Sequence, residues 1–254
     1  MENQERYNHL NTYYKNKFGE RTLKICIDAG FTCPNRDGTL STSGCIFCSE
    51  KGSGELIKFA NQHIADQVTN FLNSYRGLRA NKFIAYFQNF TNTYDTLENL
   101  KEKYDSALNV SNKIVGISIA TRPDCITEDI AKLIAYSDKY DVSVELGLQT
   151  SNDNIGRIIN RCYSSLQFTT AVNILRKYNI EIIAHMMIGL PKESFEDIKD
   201  TVIFINSHDI QGLKIHSTYI VKNTVLANMY YNKEYEPITL DYYLDGLTYV
   251  ITHV

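Results

Sequence analysis

The sequence predicts an α/β fold in which parallel strands alternate with helices and form a partial TIM-type barrel of six β/α units. Strand-like runs begin near residues 82, 114, 143, 180 and 212. This spacing of about 30 residues is the length of one βαβ unit. Six units are too few to close an eight-stranded barrel, so we predict an open barrel whose active face lies at the carboxyl ends of its strands.

The strands are predicted from short apolar runs, and all of them precede a polar or helix-like segment. Their ranges are 22–29, 82–88, 114–120, 142–148, 180–188 and 212–221. The run at 180–188 is almost wholly apolar, which is typical of a strand that is buried on both faces. We assign residues 1–21 to an N-terminal arm and residues 22–254 to one core domain, and we expect the chain to be a fragment that lacks a C-terminal region.

The helices are predicted from apolar residues at helical spacing. Their ranges are 56–76, 96–109, a segment that starts after Thr127, 165–178, 194–206 and 239–254. Thr127 is a suitable N-cap, with two acidic residues in the first turn. Ser194 and Asp197 have the spacing of a capping box, with Asp in place of Glu.

The composition is that of an ordinary soluble globular protein, with 43% hydrophobic and 22% charged residues. No apolar run approaches the roughly 20 residues that cross a bilayer, so we expect no membrane partner. The first 17 residues lack the apolar region of a signal peptide, which favours a cytoplasmic protein. A net charge of −3 excludes a strongly basic protein, although a local basic stripe could still bind nucleic acid.

Three of the six cysteines, Cys33, Cys45 and Cys48, lie in one irregular loop after the first predicted strand. Thiolates are soft ligands that suit zinc or an iron–sulfur cluster. A structural zinc site usually has four protein ligands, and the loop offers no nearby fourth. Three thiolates would leave one iron of a four-iron cluster open for chemistry. The cysteines therefore favour a catalytic cluster, with zinc and incidental cysteines as alternatives, while disulfides are unexpected in a cytosolic chain.

Several short sequence motifs lie in the cysteine loop and further along the chain. They are Gly-Phe-Thr-Cys-Pro-Asn-Arg-Asp-Gly at 30–38, Tyr-Phe-Gln-Asn-Phe-Thr-Asn-Thr-Tyr at 86–94, Thr-Arg-Pro-Asp at 121–124, Glu-Leu-Gly-Leu-Gln-Thr at 145–150 and His-Met-Met-Ile-Gly-Leu-Pro at 185–191. Together with the Cys-x11-Cys-x2-Cys spacing, they resemble the YhcC/YtqA (MnmL-like) group of the radical SAM superfamily. This group is related to the radical SAM domain of the Elongator catalytic subunit.

The resemblance implies an enzyme with one [4Fe-4S] cluster, held by Cys33, Cys45 and Cys48. The cluster would bind S-adenosylmethionine (SAM) and, once reduced by a donor such as flavodoxin or ferredoxin, cleave it to a 5′-deoxyadenosyl radical. The implied substrate is tRNA, in which a carboxymethylaminomethyl group on the wobble uridine would be converted toward an aminomethyl group. Two alternatives remain open: a radical SAM enzyme that acts on a small molecule, and a non-catalytic zinc- or RNA-binding module.

The resemblance also implies roles for single residues, each of which has an ordinary structural explanation as well. Phe47 would stack on the adenine of SAM, although it could simply pack beside the cluster. Gln149 and Arg161 would contact the ribose and the carboxylate, because a guanidinium binds carboxylates bidentately. Glu145 would add a polar contact, or be no more than an edge carboxylate.

Further along the chain, His185 would face the cofactor or substrate, and Gly189 would let the backbone approach the adenine. Lys214 and His216 lie two residues apart on one strand, so they face the same side and are candidates for contact with the substrate. At residues 160–163 the chain has Asn-Arg-Cys-Tyr where the family has Asn-Arg-Gly-His, so no role can be transferred to that histidine.

Overall fold

The computed structural model describes residues 6–52, 57, 60–135 and 139–254. Within these ranges six strands form one sheet, in the order of the sequence, and each neighbouring pair is parallel. The strands are β1 (Thr22–Ile27), β2 (Lys82–Phe87), β3 (Ile114–Thr121), β4 (Asp141–Gln149), β5 (Glu181–Ile188) and β6 (Gly212–Ser217). The predicted partial barrel is confirmed.

The curvature of the sheet follows from contacts between strands that are not neighbours. Lys214 on β6 reaches the hydroxyl of Tyr86 on β2 at 3.0 Å. Lys24 on β1 is paired with Glu145 on β4. A flat sheet would hold these strands about 14–19 Å apart, at about 4.8 Å per strand, so the sheet curls round and its inner face becomes an enclosed wall.

Helices precede, separate and follow the strands along the chain. They are α1 (Leu10–Phe18), α2 (Ile64–Leu72), α3 (Leu97–Leu108), α4 (Glu128–Ile134), α5 (Asp153–Ile158), α6 (Ser165–Arg176), α7 (Phe195–Asn206), α8 (Val225–Tyr231) and α9 (Leu240–His253). The predicted caps are present: Thr127 accepts from the backbone of Ile130, and Ser194 and Asp197 bond reciprocally in a capping box.

Three element predictions differ from the structure. The helix predicted over 56–76 spans only Ile64–Leu72, since residues 60–62 form a turn and a bend and His63 is the N-cap; positions 56, 58 and 59 of that prediction lie outside the described residues. The last strand ends at Ser217 rather than at 221. Helices α5 and α8 were not predicted, because six or seven residues are too few for helical periodicity to be recognised.

The main core lies between the outer face of the sheet and the helices. Its fully buried side chains include Ile25, Phe87, Tyr104, Val144 and Phe168. At the amino ends of the strands, α1 packs across the barrel: Lys17 bridges Asp141 and Glu181 at 2.5 Å each. The carboxyl ends remain accessible. No helix in the described part of the chain is long and apolar enough to cross a bilayer.

Candidate active site

A cavity of about 220 Å³ opens at the carboxyl ends of the strands. Its wall includes nine of the eleven site residues that the sequence analysis named, which are Cys33, Cys45, Cys48, Phe47, Glu145, Gln149, His185, Lys214 and His216. Arg161 and Gly189 do not line it. The location agrees with the expected active face of a parallel barrel.

The cysteine loop has a defined shape because amide side chains tie it to the segment after β4. The side-chain nitrogen of Asn35 donates to the carbonyl of Asn160 at 2.6 Å and lies 3.6 Å from the sulfur of Cys45. In return, the side chain of Asn160 donates to the carbonyl of Gly44 at 2.8 Å. These bonds fix the chain on both sides of Cys45.

Gly44 is required where it stands. Its φ is +72°, and an added Cβ would lie 2.9 Å from Nε of Arg36. The Arg36 guanidinium donates to the carbonyls of Cys48 and Ser49, at 2.9 and 2.6 Å. A side chain at position 44 would therefore push on the arginine that holds the last cysteine of the loop.

Ile46 completes the anchoring of the loop, through apolar packing and through two backbone hydrogen bonds. Ile46, which lies between Cys45 and Phe47, is 6% exposed and belongs to a second small core cluster. Its backbone nitrogen donates to the carbonyl of Ile159 at 3.1 Å, and its carbonyl accepts from Leu226 at 2.9 Å. The cysteine loop is thus joined to the end of α5 and to the start of α8.

All three cysteines of the loop line the cavity. Burial raises the pKa of the Cys45 thiol to about 12, and the neighbouring Cys48 adds to the effect. Buried sulfurs of this kind become good ligands when a cation stabilises their thiolates. In the described ranges, no three His, Cys, Asp or Glu side chains converge closely enough to hold a single metal ion. Three thiols that line one cavity are soft donors, which suit an iron–sulfur cluster or zinc.

Arg122 lies beside the thiols and was missed by the sequence analysis. Its Nη1 is 3.9 Å from the sulfur of Cys33, and its other nitrogens bind Asp124 bidentately at 3.0 and 2.8 Å. The word Thr-Arg-Pro-Asp at the end of β3 was the available signal. Asp124 orients the guanidinium, so one N–H edge is directed at the sulfur.

Gln149 enters the cavity at the end of β4. Its backbone is left-handed, with φ of +61°. Its side-chain oxygen lies 2.5 Å from the hydroxyl of Tyr163, and that hydroxyl also lies 3.0 Å from the carbonyl of Gly147. Tyr163 thus fixes the amide that the sequence analysis assigned to the ribose.

Arg161 is fully buried and lies outside the cavity wall. Its guanidinium donates to the carbonyls of Leu148 (2.6 Å), Thr150 (2.5 Å) and Tyr163 (2.9 Å), and to the carboxylate of Asp153 (2.6 Å). In this structure the arginine closes the β4–α5 turn, since its donors are all directed at the protein. Its contact with a cofactor carboxylate stays a prediction.

The floor of the cavity is a layer of polar side chains centred on Glu145, which is 1% exposed. One residue from each strand contributes to this layer: Lys24, Tyr86, Ser118, Glu145, His185 and Lys214. Burial alone would raise the pKa of Glu145, but the hydrogen bond from His185 and the charges of Lys24 and Lys214 outweigh it and hold that pKa well below its usual range. Glu145 is therefore a buried anion shared by five donors.

The two histidines of the site lie side by side, with ring centroids 5.3 Å apart. Nε2 of His185 is 2.6 Å from Glu145, yet burial lowers the pKa of His185 overall. Burial, followed by the charges of His185 and Lys214, lowers the pKa of His216 to about 4. His216 is thus neutral at pH 7 and can offer a ligand one N–H and one nitrogen lone pair.

Gly189 has φ of +91°, and a Cβ there would lie 2.8 Å from Ile238. Its nitrogen donates to the carboxylate of Glu193 at 2.6 Å, and its carbonyl accepts from the hydroxyl of Tyr235 at 2.8 Å. Burial raises the pKa of Glu193 to about 7, despite these backbone donors. In this structure the missing side chain of Gly189 leaves room for Ile238. The approach of the Gly189 backbone to the adenine stays a prediction.

The sequence of this chain matches two family models and several known proteins. A family model described as the radical SAM superfamily matches residues 32–205, and one described as the Radical_SAM C-terminal domain matches residues 210–254. YtqA of Bacillus subtilis is 38% identical over 246 residues, which are 95% of this chain and 75% of YtqA. YhcC of Escherichia coli is 33% identical over 83% of this chain and 68% of YhcC.

Two further proteins are more distant. A tRNA uridine(34) acetyltransferase of Dehalococcoides mccartyi is 31% identical over 132 residues, which are 50% of this chain and 28% of that protein. Among solved structures, the archaeal Elp3 of Methanocaldococcus infernus matches with a TM-score of 0.68 and 17% identity, over 90% of this chain and 53% of that one. The chain thus spans about half of the Elp3 structure, with which it shares the fold.

Proposed function

The chain belongs to the radical SAM superfamily, and on that premise we propose that Cys33, Cys45 and Cys48 bind a [4Fe-4S] cluster in the cavity. The observation that supports this proposal is that all three cysteines line the same cavity, in a loop fixed by Asn35 and Asn160. When bound and reduced, the cluster together with SAM supplies a 5′-deoxyadenosyl radical that abstracts hydrogen from a substrate.

The protein residues bind and orient the groups that react. Phe47 offers a flat apolar face next to the last cysteine. Gln149, held by Tyr163, offers an amide to a ribose hydroxyl. Arg122 directs an N–H edge at the sulfur of Cys33. The polar floor, with Lys214 and His216, faces the remaining volume, where the substrate would lie.

We propose that the substrate is tRNA, with its modified wobble uridine inserted into the cavity. Support comes from the similarity to a protein named for action on uridine 34 of tRNA, and from the fold shared with Elp3. The proposed reaction converts a carboxymethylaminomethyl group toward an aminomethyl group, with electrons from a donor such as flavodoxin or ferredoxin. A small-molecule substrate is the second candidate, since the cavity of about 220 Å³ is small.

The first experiment tests the cluster. Protein reconstituted without oxygen should bind about four irons per chain and form 5′-deoxyadenosine from SAM and a reductant. The triple variant Cys33→Ala, Cys45→Ala, Cys48→Ala should lose both, while Cys162→Ala, an exposed cysteine outside the loop, should retain both. Zinc without iron would overturn the enzyme proposal in favour of a zinc- or RNA-binding module.

The second experiment tests the substrate. Wobble uridines of tRNA treated with the active protein are analysed by mass spectrometry for loss of the carboxymethyl group. Binding of tRNA should weaken steeply with salt, because cations are released from the phosphates. Cleavage of SAM with no change in the tRNA, together with binding that salt does not affect, would favour the small-molecule substrate.

A further inference from the structure

The polar floor of the cavity contains more hydrogen-bond donors than its carboxylate can accept. Glu145 has about four lone-pair positions, and five side chains are directed at it. Tyr86 (2.8 Å) and His185 (2.6 Å) approach one oxygen and Ser118 (3.0 Å) the other, next to Lys24. Lys214 is the most distant of the donors, at 3.3 Å. The Lys214 ammonium therefore makes the longest of the five contacts with Glu145.

The charges of the layer do not balance either. Lys24 and Lys214 both carry an ammonium, Glu145 carries the single carboxylate, and the histidines are neutral. Tyr86 does not supply a second anion, since burial raises its pKa well above the usual value. The ring of Tyr86 lies between the two ammonium groups, 4.5 and 5.2 Å from its centroid. One positive charge is thus left over at the floor of a cavity with low-dielectric walls.

Only one of the two lysines can meet a ligand. Lys214 lines the cavity and its side chain is 38% exposed, whereas that of Lys24 is 18% exposed and lies behind the wall. Of the three N–H groups of Lys214, two are accounted for by Tyr86 and Glu145. In the described part of the chain the His216 ring makes no hydrogen bond, so its N–H is available next to that ammonium.

The next layer up leaves room for a ligand at this point. The residues that follow Ser118 and Glu145 on the same inner face are Ala120 and Gly147, and both line the cavity. Lys214 and His216 face this cavity from β6. The amide of Gln149 and the hydroxyl of Tyr163 fill the position above Gly147, where a Cβ would lie 2.7 and 3.1 Å from them, so the room for a ligand is bounded by that amide.

We propose that the Lys214 ammonium and the His216 N–H bind a carboxylate of the substrate at the floor of the cavity. This inference rests on the proposed function and deepens it, because the side chain to be shortened ends in a carboxylate. One carboxylate oxygen accepts a hydrogen bond from the Lys214 ammonium, and the other accepts one from the His216 N–H. The added anion brings the charge of the layer to zero.

The test uses two anticodon stem-loops that differ only in the wobble side chain, carboxymethylaminomethyl in one and aminomethyl in the other. Their binding to the reconstituted 254-residue chain is measured without reductant. The wild type should prefer the carboxylate form by about 10- to 100-fold, the value of one or two charge-assisted hydrogen bonds. Lys214→Gln should abolish the preference and Lys214→Arg should retain it. Lys222→Gln, which removes the same charge from an exposed position, should leave it unchanged.

A second readout does not depend on tRNA. The ¹⁵N-labelled His216 ring of the resting protein should shift on titration with sodium acetate in the wild type, and not in Lys214→Gln. If neither stem-loop binds while the acetate shift persists, the tRNA proposal fails and the anion site stands. If both stem-loops bind equally and acetate causes no shift, the anion site is overturned and the tRNA proposal stands.

A third measurement separates the substrate carboxylate from that of SAM. Equilibrium binding of SAM to Lys214→Gln should match that of the wild type. A tenfold loss of SAM affinity, with the stem-loop preference retained, would assign the ammonium to the cofactor and overturn the inference.

Discussion

Glu145 joins the inner faces of the barrel strands, and replacing it with glutamine should destabilise the fold strongly. The carboxylate is 1% exposed and is shared by two lysines, a histidine, a tyrosine and a serine. The variant leaves two ammonium groups without their anion, one of them largely buried. Removal of one member of a buried ion pair costs about 3–5 kcal/mol. For a chain of this size the melting temperature should fall by roughly 6–20 °C.

The assay is urea unfolding at pH 7.5, followed by circular dichroism because the chain has no tryptophan. Glu128→Gln is the matched control, since its carboxylate pairs with Lys177 on the surface, and it should change the unfolding midpoint little. Adding Lys24→Met to Glu145→Gln should recover part of the lost stability by removing the unpaired charge. A loss below 1 kcal/mol for Glu145→Gln alone would refute the reasoning, as would a double variant less stable than the single one.

The sign of the pH effect at Glu145 follows from its depressed pKa. A carboxyl whose folded-state pKa lies below the unfolded value of about 4.3 stabilises the protein above that value. This contribution is lost only as the pH falls through the lower folded-state value. The difference in stability between the wild type and Glu145→Gln should therefore persist from neutral pH to below pH 4.

Three further outcomes are expected. Gly44→Ala should lower the iron content after reconstitution, whereas Gly38→Ala should not, because both have positive φ but only the first places a Cβ against the half-buried Arg36. Equal iron in the two would contradict this. Tyr163→Phe should weaken SAM binding about 2- to 10-fold with the iron content unchanged, through loss of one hydrogen bond to Gln149; an unchanged dissociation constant would show that the amide is positioned without it. Burial raises the pKa of Glu193 to about 7, so the folded state holds this proton more tightly than the unfolded state does. The wild type should therefore lose stability relative to Glu193→Gln as the pH rises from about 4.5 to 7. A constant difference in urea midpoint across that range would exclude this titration.

The sequence was informative where a single regular signal governs the structure. The strand spacing predicted the order and direction of all six strands, and the cysteine spacing located one wall of the cavity. Both signals are local, as are the caps at Thr127 and Ser194. The short helices α5 and α8 carry no such signal, because packing and capping rather than periodicity define them.

The buried polar layer could not be predicted from the sequence, for a different reason. A lysine on β1 and a glutamate on β4 meet only because the sheet curls, and the degree of curling is a property of the whole barrel. Glu145 was accordingly considered only as a cofactor contact or an edge carboxylate. Arg161 was assigned to a ligand on the basis of its family position, whereas its neighbours Leu148 and Thr150 supply the carbonyls that it binds. The polar layer and the buried arginine both depend on contacts between distant parts of the chain.

The ties on the cysteine loop have a consequence for biosynthesis. Asn35 bonds to a carbonyl 125 residues further along the chain, and Ile46 bonds to Leu226. During translation the three cysteines leave the ribosome long before either partner has been made. The loop therefore gains its final shape only when most of the protein has been synthesised. A cluster that needs the finished loop would then be inserted only after the chain has folded.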